Sequence, residues 1–171
     1  MTRRKILLTS FRPWLAHHHS NSSDDLLGQI QAIAFPKHEL MFLRHLPVET
    51  EAASQKTIQA IATQKPDAVI CCGMAESRTK LTVEAQAFAQ AKHYETTVNL
   101  STLTQQLKFT KISHDAGKFV CEGLYFSVLE HIHQQQLKIA AIFLHIPLLT
   151  DENNQLIMQD FRQIIHALTS S

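Results

Sequence analysis

Three cysteines in 171 residues are too few for a disulfide framework, and two of them are adjacent, Cys71-Cys72, inside an apolar run. Reduced thiols and a cytoplasmic setting follow as expectations. The chain also lacks an excess of charge. Sixteen basic against fifteen acidic residues leave a formal charge of +1, so no strong field exists to draw nucleic acid or an anionic membrane. Long apolar runs are missing too: none approaches the ~18 residues of a membrane helix. The N-terminal Thr2-Arg3-Arg4-Lys5-Ile6-Leu7-Leu8 opens like a signal peptide, but Arg12 and Pro13 soon interrupt it, and it reads as a first strand. Internal repeats and low-complexity tracts are absent, and 44% hydrophobic content suits a single domain, 1–171, with a sizeable core.

What is present is alternation between short apolar β-rich runs and longer amphipathic segments. This is the pattern of an α/β sheet with helices on both faces. Strands are predicted near residues 5–9, 39–43, 68–72, 108–112 and 139–146. A helix is predicted over 50–64, where Ala53, Ile58, Ile61 and Ala62 share a face and Lys65-Pro66-Asp67 stops it. Further helices are expected over about 116–135 and 151–168, the latter capped by Asp151 or Thr150. Residues 17–25 read as a loop entering a helix. Leu81 to Gln86 alternates like a strand, whereas 85–92 is alanine-rich enough for a helix, and pattern alone does not decide.

Two residues carry chemistry in this frame. Cys121 follows a loop, Ser113 to Val120, at a helix start, where unpaired N–H groups and a partial positive charge favour thiolate. His145 ends the last apolar strand. A thiol and an imidazole at the carboxyl ends of sheet strands are the parts that thiol hydrolysis needs. A small, weakly charged ligand suits the balanced charge. His17-His18-His19 lies in a polar loop with no cysteine or carboxylate at ligand spacing, and His131 and His133 point about 200° apart on a helix, so no metal site is expected.

Several ordered segments resemble the pyroglutamyl peptidase I family, cysteine peptidases that remove an N-terminal pyroglutamate. Ile6 to Trp14 looks like the family's T-G-F-x-P-F start, and Asn21-Ser22-Ser23 like its N-P-S. Leu46-Pro47-Val48 and Lys65 to Gly73 resemble L-P-V and the K-P-D strand ending in glycine. Arg78 and Leu81-Thr82-Val83-Glu84 resemble G-G-R and I-T-V-E-R, Ala116 to Cys121 resembles A-G-T-Y-x-C, and Phe143 to Pro147 resembles F-I-H-V-P.

The resemblance implies a three-layer α/β/α sandwich with a mostly parallel twisted sheet, of the phosphorylase/hydrolase-like kind. It implies Cys121 as nucleophile, His145 as base, Glu84 as the carboxylate orienting His145, and Arg78 with the Cys121 N–H as oxyanion donors. Phe11 and Trp14 would wall the pyroglutamate ring. No cofactor or metal is implied; the partners implied are a peptide with a blocked N-terminus and, from the family's habit, other copies of the chain.

The chain departs from the pattern in places. Leu15-Ala16 and Glu76-Ser77 replace glycine pairs, and Met74 stands where many members have a substrate-contacting glutamine. Glu122 replaces an asparagine beside Cys121, where a charge would raise the thiol pKa. Residues 85–100 are shorter than the family's loop at that point. Two alternatives therefore stand beside peptidase action: a related thiol amidohydrolase for a different N-blocked substrate, and an inactive binding homologue.

Overall fold

The computed structural model describes residues 2–168. Its central sheet has six strands in the order β2-β1-β3-β8-β4-β7. They are β1 (Arg4–Phe11), β2 (His38–Leu46), β3 (Ala68–Met74), β4 (Leu81–Glu84), β7 (Thr110–Ser113) and β8 (Ala140–Ile146). The first three strands and β8 are mutually parallel, whereas β4 runs antiparallel to β8 and parallel to β7. Helices α1 (Ser22–Gln31), α3 (Leu100–Thr104) and α5 (Asn154–Ala167) cover one face, and α2 (Thr50–Gln64) and α4 (Val120–Gln134) the other. The three-layer α/β/α reading holds.

Both faces of the central strands are buried, which is why those strands read as unbroken apolar runs. Successive side chains still divide by parity. Ile6, Leu8, Ile70, Cys72, Ile142 and Leu144 join the core under α1 and α5. Leu7, Val69, Cys71, Ala141 and Phe143 join the core under α2 and α4. The same parity carries His145 and Gly73 to the α4 side. Helix starts are made locally: the Asn21 side chain accepts from the Ser23 N–H, and the Glu49 carboxylate accepts from the N–H groups of Glu51 and Ala52.

The structure decides one stretch that the sequence left open and departs from the sequence reading at others. Residues 86–95 form a hairpin, β5 (Gln86–Ala89) with β6 (Lys92–Glu95), and no helix. Ala87 and Tyr94 bury against α4, so its alanines serve close packing rather than helical propensity. Helix α4 starts at Val120 and not near Ala116, because Gly117 has φ +92° and breaks the helical path. Helix α5 starts at Asn154 with Asn153 as its N-cap, after a turn in which Thr150 and Asn153 bond each other. Strand β7 starts only at Thr110, since Asp160 of α5 takes the amides of Lys108 and Phe109.

Candidate active site

Strands β3 and β8 pair so that Gly73 lies opposite His145. The first turn of α4 crosses above this pair. A Cβ built on Gly73 would come 2.5 Å from the Cys121 Sγ and 2.9 Å from Phe143 Cζ, so the thiol rests directly on glycine backbone. Glycine is required there because any side chain would occupy the sulfur's place. Cys121 and His145 are thereby delivered to the same sheet edge.

Glu84 arrives by a different route. In the antiparallel pairing, Thr82 is opposite His145, so Glu84, two residues on and on the same face, sits one pleat deeper in the sheet. It is fully buried, and its Oε1 lies 2.7 Å from His145 Nδ1 and 2.9 Å from an Arg78 guanidinium nitrogen. Its Oε2 has no hydrogen-bond partner among the described residues. Arg78 also donates to Thr82 Oγ1 at 2.6 Å and to the Asp115 carbonyl at 2.7 Å, which ties the loop before α4 to the carboxylate.

The electrostatics of the thiol differ from the expectation for a helix start. Burial pushes the half-buried Cys121 thiol up to about 12, with Cys71 and Glu84 adding to the rise and Arg78 opposing it. Desolvation is the largest cause of the rise. The acid responsible is Glu84 rather than Glu122, whose carboxylate turns away to accept from the Phe88 N–H at 3.1 Å. Phe119, the N-cap of α4, makes no side-chain capping bond, so the N-cap side chain offers no acceptor to the first-turn N–H groups, Cys121 among them.

Cys121, His145 and Arg78 line one cleft of about 520 Å³ together with Phe11, Trp14 and Met74. Phe11 is buried within its wall, while Trp14 is 55% exposed at the mouth. Met74 brings its sulfur to 3.5 Å from the Ser22 N–H. Sequence reasoning missed Phe119, which is 77% exposed on the same cleft, and Asn21, whose side chain holds Ser23 and thereby the Phe11 backbone. An aromatic residue just before the cysteine's helix was the available signal for Phe119. None of residues 85–99 lines the cleft, so the short segment there is a buttress for α4. His17 and His18, read as having no carboxylate at ligand spacing, meet Glu76, 58 residues beyond His18.

Comparison with known proteins agrees with this geometry. The model of the family described as pyroglutamyl peptidase matches residues 4–93 and 87–161. A pyrrolidone-carboxylate peptidase of Vibrio vulnificus is 30% identical over 87% of this chain and 81% of its own length. Another, from a Thermoanaerobacter species, is 29% identical over 85% of this chain and 83% of its own. The crystal structure of pyroglutamyl peptidase I from Bacillus amyloliquefaciens superposes with a TM-score of 0.87 at 20% identity, covering 99% of this chain and 97% of that one. The pyrrolidone carboxyl peptidase structure from Thermococcus litoralis gives 0.84 at 18% identity, over 96% and 93%. With half of its length and more matched by that family's model, and with the fold shared from end to end, the chain belongs to the pyroglutamyl peptidase family.

Proposed function

We propose that this protein is a cysteine exopeptidase that removes an N-terminal pyroglutamyl residue from peptides, working as a single catalytic domain. The observation that carries the reading is the buried Glu84–His145 pair at 2.7 Å beside a thiol seated on His145's ladder partner Gly73. With Nδ1–H donating to Glu84, the other imidazole nitrogen, Nε2, is the base. It takes the Cys121 proton as sulfur attacks the amide carbonyl, and then gives that proton to the leaving amine. Water next hydrolyses the thioester and releases pyroglutamate. The Cys121 N–H in the uncapped first turn of α4 receives the oxyanion, and the Arg78 guanidinium supports it electrostatically.

Pyroglutamate is an uncharged lactam ring, and Phe11 with Trp14 supplies an apolar slot for it. The finer partner readings belong to the same proposal: a blocked peptide as substrate, self-association with other copies, and a cytoplasmic location suited to three free thiols. Among the described residues no helix is long and apolar enough to cross a membrane.

The test is turnover of a pyroglutamyl aminocoumarin by the wild type, abolished in Cys121→Ala. A second reading, a thiol amidohydrolase for a different N-blocked substrate, is favoured by Met74, whose thioether offers no donor to a lactam carbonyl. Cleavage of acetyl or formyl amides with the pyroglutamyl amide left intact would establish that reading instead.

A further inference from the structure

Two loops at the mouth of the cleft meet through three side chains outside the catalytic group. His17 and His18 lie between β1 and α1, and Glu76 lies between β3 and β4. His17 Nε2 is 3.7 Å from Glu76 Oε1, and His18 Nε2 contacts the same oxygen. One ligand atom from each of the three lies within 4.8 Å of the others. A tetrahedral ion with bonds of about 2.0–2.2 Å needs ligand atoms about 3.3–3.5 Å apart, so the His18–Glu76 contact must open and the widest separation in the cluster must close for the three side chains to enclose one.

A second observation points to a ligand. The His18 side chain is only 7% exposed, and it is Nε2 that faces Glu76 and the His17 ring, while Nδ1 has no hydrogen-bond partner among the described residues. An imidazole sequestered for structural reasons normally has both nitrogens satisfied. This one presents Nε2 to a second imidazole and a carboxylate. The same two loops carry Leu15-Ala16 and Glu76-Ser77, where this chain departs from the glycine pairs of the family pattern.

We propose that His17, His18 and Glu76 form a binding site for a borderline divalent cation of the zinc class, with water in the remaining position. Two imidazoles and one carboxylate suit zinc and exclude the all-oxygen preference of calcium and magnesium. The bound ion ties the loop carrying Trp14 to the segment carrying Arg78, both of which line the cleft.

Trp14 is the only tryptophan, and its ring centroid is 6.3 Å from that of His18, which makes its fluorescence a local reporter. The experiment titrates zinc chloride into the full chain carrying Cys121→Ala, which removes the cleft thiol as a competing zinc ligand. Equilibrium dialysis is run in parallel. The expected result is one equivalent bound with a saturable change in Trp14 emission, and affinity at least tenfold weaker in His17→Ala and in Glu76→Gln. His19→Ala is expected to leave affinity unchanged, since His19 is outside the cluster. Absence of stoichiometric binding up to millimolar zinc, equal affinity in the His17 and Glu76 variants, or equal weakening by His19→Ala would each overturn the site. None of these outcomes depends on peptidase activity.

Discussion

At the scale of the residue, Cys121 is held as a neutral thiol by burial, with Glu84 reinforcing the effect, while Glu84 also fixes the imidazole that must deprotonate it. One carboxylate thus opposes ionisation of the resting nucleophile and supports the base during attack. Glu84→Gln separates these effects. Replacing the carboxylate with an amide removes the Coulombic rise on Cys121 but loses control of the His145 tautomer, so kcat/KM is expected to fall about 10³- to 10⁴-fold. Alkylation of Cys121 by iodoacetamide, which needs only the thiolate, is expected to become no slower and its apparent pKa to drop. The paired measurement is pyroglutamyl amide turnover and alkylation rate across pH 7–10. If both rates fell together, Glu84 would be activating the resting thiol, and the division of roles would be wrong. The sequence exposed this site unevenly: Cys121 and His145 could be read from a helix start and a strand end. Glu84 looks like one polar position in a short alternating run, and its burial depends on an antiparallel pairing that no local pattern records.

At the scale of the element, the site exists because β3, β8 and β4 share one register and α4 descends onto it. Strands β1, β3 and β8 were legible because burial on both faces makes them continuous apolar runs, and α2 because its apolar stripe ends at a clear stop. The β5–β6 hairpin was not, since strands of four residues carry too little periodicity to separate from an alanine-rich helix. Gly73 joins sheet and helix, and Gly73→Ala tests that junction. The added Cβ would meet Cys121 Sγ and the Phe143 ring, both attached to packed elements, so the α4 start must move outward. A loss of about 1–3 kcal/mol in urea unfolding is expected from overpacking. A fall of at least about 10²-fold in kcat/KM is expected from misplacing sulfur by roughly an ångström. Unchanged turnover with lowered stability would show that the thiol tolerates displacement and that the register is not what positions it.

At the scale of the whole molecule, the two cores on either side of the sheet enclose groups whose ionisation the fold resists. Burial pushes Cys71 up to about 12, raises Cys72 well above its usual value, and raises the Tyr125 phenol, in addition to Cys121. Their common direction sets how stability depends on pH. Below the unfolded thiol value near 9.0 these thiols are neutral in both states, and their burial carries no ionisation penalty. As pH rises from there toward the folded values, the unfolded chain releases protons that the folded chain keeps, and the equilibrium moves toward unfolding. The rise at Cys71, from 9.0 to about 12, acts in this direction, and Cys72 and Cys121 act with it. Urea unfolding under reducing conditions is therefore expected to show a plateau from about pH 7 to 8.5, followed by a progressive loss of stability toward about pH 11. Cys71→Ala is expected to lower the plateau, because it leaves a small cavity in the α4-side core, and to make the alkaline decline shallower. A wild-type curve that stays level to pH 11, or a Cys71→Ala decline as steep as the wild type's, would mean that the buried thiols ionise without resistance from the cores.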